Sequence, residues 1–293
     1  MTLPFMGLKS CSRPVNGSLN DVSGLTQVKE ELRQAVIWPL KMPHLFCGFR
    51  KPPTTFLLVG PPGCGKTLLV EKIAAESQST LLSVSPSNIL SKWSGESERT
   101  LRALFSTAAT VRPCIVFLDE IDALAGQRSS SDDPGSRRLL TELLIQMTRA
   151  SEVQGVLIMA CTNRIQDIDT ALLRRFERRV FIPLPDPPSR SSYFQTALSR
   201  PELSDHTLTP CDIKVLVEST EGYSCSDLLS VVKYAAMIPL CEAMSLPSSQ
   251  AQGNEETAFA LIIRKLTLND FVRAVQQLQT PTMDQSMMGL SGS

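Results

Sequence analysis

The spacing of apolar positions changes several times along the chain, and each change marks an element. Leu25, Val28, Leu32, Ala35 and Val36 recur at helical spacing. This predicts one amphipathic helix, with Asp21 and Ser23 as capping oxygens and Pro39 as its stop. Thr54 to Val59 then reads as a buried strand, Gly65 to Glu76 as a helix, Thr80 to Val84 as a strand and Glu98 to Thr110 as a helix. Cys114 to Leu118 (strand), Arg137 to Arg149 (helix), Val156 to Cys161 (strand) and Arg179 to Ile182 (strand) continue the alternation. A strand can reach a parallel neighbour only through a crossover. The expected fold is therefore α/β, a five-stranded, mostly parallel sheet with helices on both faces.

The proline-dense run PLPDPPS at 183–189 ends the strand signals. It places a boundary between a large domain, 21–186, and a small helical one, 187–280. The second is read as helices at Arg190 to Leu198, Cys211 to Glu218, Ser226 to Met244 and Leu268 to Leu278. Thr267 and Asp270 open the last of these in a near capping box. Residues 1–20 carry Gly, Pro, Ser and Asn without a period and are expected to be a loose leader; 245–259 is expected to be a polar linker and 281–293 a disordered tail.

Composition narrows the function classes. Two domains suit 293 residues, and 42% hydrophobic with 20% charged residues is a globular balance. With 29 Lys and Arg against 29 Asp and Glu, bulk charge gives no reason to expect nucleic acid or an anionic membrane as the main partner. No apolar run approaches the ~20 residues that span a bilayer, and the amino terminus lacks a basic segment before its short apolar stretch. The eight cysteines form no CxxC pair and have only His44 and His206 as possible zinc companions, so free thiols in a reducing compartment are expected.

The chemistry is concentrated in two places. Gly60-Pro61-Pro62-Gly63-Cys64-Gly65-Lys66-Thr67, followed by Leu68, fits G-x-x-x-x-G-K-[ST] between an apolar strand and a helix. The glycines let backbone N–H groups curl round phosphates, Lys66 reaches the terminal phosphates, and Thr67 offers a hydroxyl to Mg²⁺. Ile115 to Leu118 leads into Asp119-Glu120, which a parallel strand delivers to the carboxyl edge of the sheet beside that loop. There Asp119 would hold the Mg²⁺ shell and Glu120 would polarise an attacking water. Cys64 lies just before a helix N-terminus, where a thiolate is favoured, and is expected to be reactive and shielded by bound ATP.

Together with the strand ending in Thr162-Asn163 and the run Leu173-Arg174-Arg175-Phe176-Glu177-Arg178-Arg179, these residues resemble an AAA ATPase from about Leu19 to Leu278. Pro43-His44-Leu45-Phe46, Arg50-Lys51-Pro52, Ser91 to Glu98, Ile182 to Asp186 and Thr220 to Ser224 are similar to the meiotic clade. Within it they resemble the vacuolar-sorting branch that disassembles ESCRT-III filaments. The resemblance implies a P-loop module with a small carboxy-terminal helical subdomain, ATP and Mg²⁺ as cofactors, and a homo-hexameric or mixed ring. It implies that Asn163 orients water near the γ-phosphate, and that Arg174 and Arg175 reach the neighbouring subunit's ATP. Lys92 and Trp93 would grip an extended peptide in the pore, with Gln127 to Ser136 as a second pore loop.

The implied substrate is a protein polymer, most similar to ESCRT-III subunits, and no nucleic acid. The implied location is the cytoplasm, with recruitment to endosomal membranes only through the substrate. A katanin-like microtubule-severing enzyme is the alternative of the same class. A regulatory subunit without hydrolysis is the alternative of another class, which the intact Lys66, Glu120 and Arg175 oppose. The amino-terminal microtubule-interacting-and-trafficking domain, the three-stranded insertion and the carboxy-terminal helix of that branch have no counterpart in the residues at hand. Cys225 also stands where the small-domain turn of the family has Gly.

Overall fold

The structure is a computed structural model, and it describes residues 9–12, 17–84, 96–123, 134–245 and 263–278. The chain divides into two compact units, Met1–Pro183 and Leu184–Ser293.

The first unit is built on a six-stranded sheet. Its strands are β1 (Lys9–Ser12), β2 (Thr55–Val59), β3 (Thr80–Val84), β4 (Cys114–Leu118), β5 (Val156–Thr162) and β6 (Arg178–Phe181), in the order β1-β3-β4-β5-β2-β6. Five run parallel, and β1 pairs antiparallel with β3 at the edge. Every residue of β2, β4 and β5 is buried. Helices cover both faces, so these strands read as unbroken apolar runs without alternation.

On one face Leu57, Val116 and Ile158 pack with α4 (Glu96–Thr110) and α5 (Pro134–Ser151), through Leu101, Leu104, Leu143 and Met147. The opposite face takes α3 (Lys66–Glu76), whose Leu69, Val70, Ile73 and Ala74 are buried. A short α6 (Thr170–Leu173) leads into β6.

Two expectations for the amino-terminal part are corrected. The first 20 residues supply an edge strand, and Leu19 is fully buried. Glu76 at the end of α3 fastens this segment by accepting from the Leu19 N–H (2.8 Å), the Ser18 hydroxyl (2.9 Å) and Arg33 Nε (3.4 Å). Nor does Pro39 stop the first helix. α1 (Thr26–Leu32) passes through a π-turn at Arg33–Ile37 into α2 (Trp38–Lys41), with Pro39 buried inside. The wider turn pairs the Trp38 N–H with the Arg33 carbonyl and accommodates a residue that has no N–H to donate. The cap of α1 is Leu25 in the left-handed region, with no side-chain cap bond. Asp21 instead accepts from Lys72 and from the Ser18 N–H.

The second unit holds α7 (Pro187–Leu198), α8 (Pro210–Ser219), α9 (Cys225–Ser245) and α10 (Leu268–Gln277). Of the prolines that marked the boundary, Pro187 and Pro188 open the first turn of α7, where a missing N–H costs nothing, and Asp186 caps it. Phe194, Leu216, Leu228, Val231, Ala235 and Phe271 form its core, with Phe194 and Phe271 edge to face at 6.3 Å. Among the described helices α9, with 21 residues, is long and apolar enough by composition to cross a membrane. Its Leu228, Val231, Val232 and Ala235 are spent on this core.

Candidate active site

The phosphate loop lies between β2 and α3, with Gly63 (φ 76°) and Gly65 (φ 81°) in the left-handed region. These two turns swing the chain so that α3 starts with its N–H groups open toward the loop. Gly60 is needed for another reason. A Cβ there would lie 2.1 Å from the backbone carbonyl oxygen of Ile182.

Lys66 is buried and donates from Nζ to the carbonyls of Gly60 (2.8 Å) and Pro61 (2.7 Å) and to Asn163 Oδ1 (2.7 Å). Burial pulls its ammonium below the usual lysine range, against the attraction of Asp119 and Asp122. The phosphate-loop cation and Asn163, 97 positions apart in sequence, are thus in direct contact.

Thr67 donates its hydroxyl to Asp119 Oδ2 at 3.0 Å. A hydroxyl and a carboxylate meeting at the mouth of the loop are hard oxygen donors of the kind a Mg²⁺ shell takes, so these residues fit that ion. Glu120 follows Asp119 with φ 55°, a backbone region that side chains disfavour and that concentrates at functional sites. Its side chain is exposed at the carboxyl edge of the sheet.

Arg174 and Arg175 close α6, both exposed. Their neighbours are engaged, Arg178 with Glu31 at 3.8 Å and Arg179 with the Leu173 carbonyl at 3.0 Å. Among the described residues the guanidinium groups of Arg174 and Arg175 have no partner. Lys92, Trp93 and most of the second pore-loop segment lie outside the described residues.

The expectation of a reactive Cys64 is corrected. The residue is only 3% exposed and its sulfur lies 4.0 Å from the Pro62 carbonyl, on the inner side of the loop. Nearby Cys161 is also buried, and desolvation pushes its thiol well above the usual range. At the second unit's turn, Ser224 and Asp227 cap each other at 2.8 to 3.3 Å. Cys225 there begins α9 and is not among the positive-φ residues. This backbone does not require the glycine.

Sequence reasoning missed Asp122 and Thr162, whose side chains meet at 3.0 Å beside these groups. The available signal was a further acid two residues past Glu120, and a hydroxyl closing an apolar strand next to Asn163.

Residues 56–184 match the family described as "ATPase family associated with various cellular activities (AAA)". The structure superposes on the FIGL-1 AAA domain in complex with ADP with a TM-score of 0.77 at 35% identity, covering 93% of this chain and 88% of that one. The chain belongs to the AAA ATPase family. Its relatives place this AAA chain in the meiotic clade. It is 43% identical over 226 residues to vacuolar protein sorting-associated protein 4 of Dictyostelium discoideum, covering 77% of this chain and 50% of that protein. A katanin structure described as the structural basis for katanin self-assembly matches with a TM-score of 0.69 at 35% identity, covering 89% and 84% of the two chains. The AAA chain spans about half the length of the curated relatives it matches.

Proposed function

We propose that this chain binds ATP with Mg²⁺ at Gly60 to Leu68 and hydrolyses it within a ring of like subunits, to remodel or disassemble protein polymers. The observation that carries the reading is the convergence of three chain segments, through the Lys66–Asn163 and Thr67–Asp119 bonds, beside Glu120. Lys66 and the loop N–H groups hold the phosphates, and Thr67 and Asp119 would hold a Mg²⁺ ion, which would supply neutralisation of the phosphate charge. The Glu120 carboxylate takes the proton of the attacking water, and the Asn163 amide aims that water at the γ-phosphate.

Arg174 and Arg175, exposed and with guanidinium groups unengaged among the described residues, complete a neighbour's site, a role that suits a planar, permanently charged fork. Lys92 and Trp93 grip the substrate chain. The polymer is an ESCRT-III filament, handled in the cytoplasm at endosomal membranes. Likeness to a vacuolar-sorting protein 4 supports this choice, and likeness to katanin keeps microtubule severing as the second reading.

Phosphate release measured at rising protein concentration, with Mg²⁺ and with EDTA, tests the enzyme. Specific activity should climb as rings assemble and vanish with EDTA; flat, metal-independent activity would contradict the reading. Trp93→Ala should keep basal turnover and lose filament disassembly. Efficient microtubule severing with ESCRT-III filaments left intact would exchange the first substrate for the second.

A further inference from the structure

A short chain of hydrogen bonds joins the two strand ends that frame the site. The backbone N–H of Arg164 donates to Thr162 Oγ1 at 3.0 Å, and the Thr162 hydroxyl donates to Asp122 Oδ1 at 3.0 Å. Thr162 is 1% exposed and closes β5. Asp122 is half-buried in the turn Ile121–Ala123 that follows Glu120.

Asn163 lies between the two tied residues Thr162 and Arg164, and Glu120 lies two positions before Asp122. The turn is anchored by fully buried Ile121 and by the Ala123 N–H donating to the Glu120 carbonyl at 3.0 Å. The left-handed backbone of Glu120 (φ 55°) must therefore be held from its carboxyl side, and Asp122 is the side chain that ties this turn to the neighbouring strand.

We propose that Asp122 is a positioning residue. Through Thr162 it fixes the separation between the Glu120 carboxylate and the Asn163 amide, so that one water can meet both. A hydroxyl has a single proton. Committing it to Asp122 aims the lone pairs at the Arg164 N–H, which holds the backbone on both sides of Asn163. Without that acceptor the hydroxyl rotates and the strand end loosens, and displacement of about 1 Å in such a site costs on the order of 100-fold in rate.

The inference rests on the hydrolytic reading above and has one rival within it. The Asp122 charge also supports the proton on Lys66, so its loss could act on phosphate binding instead. Asp122→Asn separates the two, since the amide keeps the accepting oxygen and loses the charge.

Four single variants and one double variant with their ATPase kinetics, and the hydrogen exchange of the Arg164 amide, form the test. Asp122→Ala and Thr162→Val should each lower kcat by roughly tenfold or more with KM within about threefold. Asp122→Asn and Thr162→Ser should stay within about threefold of wild type, and the double variant Asp122→Ala with Thr162→Val should be no worse than the poorer single. In Asp122→Ala the Arg164 amide should exchange faster, and in Asp122→Asn it should not.

Turnover of Asp122→Ala within twofold of wild type would overturn the proposal. So would a loss confined to KM and shared by Asp122→Asn, or an unchanged Arg164 exchange rate. Should wild type itself lack turnover, the hydrolytic reading fails separately, and Arg164 exchange alone then decides whether Asp122 holds the strand end.

Discussion

Gly60→Ala should damage both the fold and nucleotide binding, and the structure sets the size of the effect. The new methyl would sit 2.1 Å from the Ile182 carbonyl oxygen, and ordinary contact begins near 3.4 Å, so the gap must open by about 1.3 Å. Neither side can yield cheaply. Ile182 is backbone, held by its N–H donating to the Val59 carbonyl at 2.7 Å, and the Gly60 carbonyl accepts from Lys66 at 2.8 Å.

Overpacking of this kind costs about 1–3 kcal/mol, and losing the Ile182 hydrogen bond adds about 1 kcal/mol. For a domain of this size that corresponds to a fall in Tm of roughly 5–12 °C. Displacing the loop and Lys66 by about 1 Å should lower kcat/KM by on the order of 100-fold.

Gly65→Ala is the control. Its Cβ meets nothing within 4 Å but requires φ 81°, a strain of about 1–2 kcal/mol. Differential scanning fluorimetry and titration of a fluorescent ATP analogue measure both variants. Greater thermal stability in Gly60→Ala than in Gly65→Ala, or wild-type nucleotide affinity in Gly60→Ala, would refute the reasoning.

A mixture of inactive Arg175→Ala and inactive Glu120→Gln chains should regain part of the wild-type ATPase rate, because some interfaces pair a sound arginine with a sound base; no rescue in mixed rings verified by native mass spectrometry would contradict an intersubunit site. Maleimide should label exposed Cys47, Cys211 and Cys241 before buried Cys64 and leave nucleotide binding intact, and peptide mapping that finds Cys64 labelled first would contradict its burial. Asp270 is fully buried, and although burial itself raises its pKa, bonds from Arg264 (2.6 and 2.7 Å) and Thr267 hold the carboxyl below its ordinary 3.8. Its stabilising contribution is therefore present above about pH 4 and lost as pH falls through the folded value. Asp270→Ala should cost about 1–3 kcal/mol at pH 7 by removing the acceptor of the Thr267 and Arg264 bonds, Arg264 keeping Glu242 as a partner, and its Tm should vary less with acid than that of wild type in thermal melts from pH 3 to 7.

The strand, loop and helix around Gly60 to Thr67 were legible because their determinants are local, an apolar run followed by glycines and a lysine at fixed spacing. Asp119 was legible as a carboxylate ending an apolar strand beside the phosphate loop, and Asn163 only through the family resemblance. What escaped depends on partners far along the chain or on the direction of one side chain. Lys9–Ser12 becomes a strand by pairing with β3 some 70 positions on. Leu19 is buried because Glu76 fastens its backbone, and Pro39 is accommodated by a π-turn that no local preference signals. The burial of Cys64 depends on the direction of one side chain, whose sulfur turns toward the Pro62 carbonyl. Asp122 and Thr162 have meaning only as a pair, 40 positions apart.

The central claim is that Glu120 is the base of an ATP-hydrolysing site. Its most direct test is parallel measurement of ATP binding and turnover in Glu120→Gln, whose amide keeps the shape of the carboxylate and cannot take up a proton. ATP affinity should stay within about threefold of wild type while kcat falls by roughly 100-fold or more. Turnover at the wild-type rate, or a loss of ATP binding equal to the loss of activity, would contradict the account.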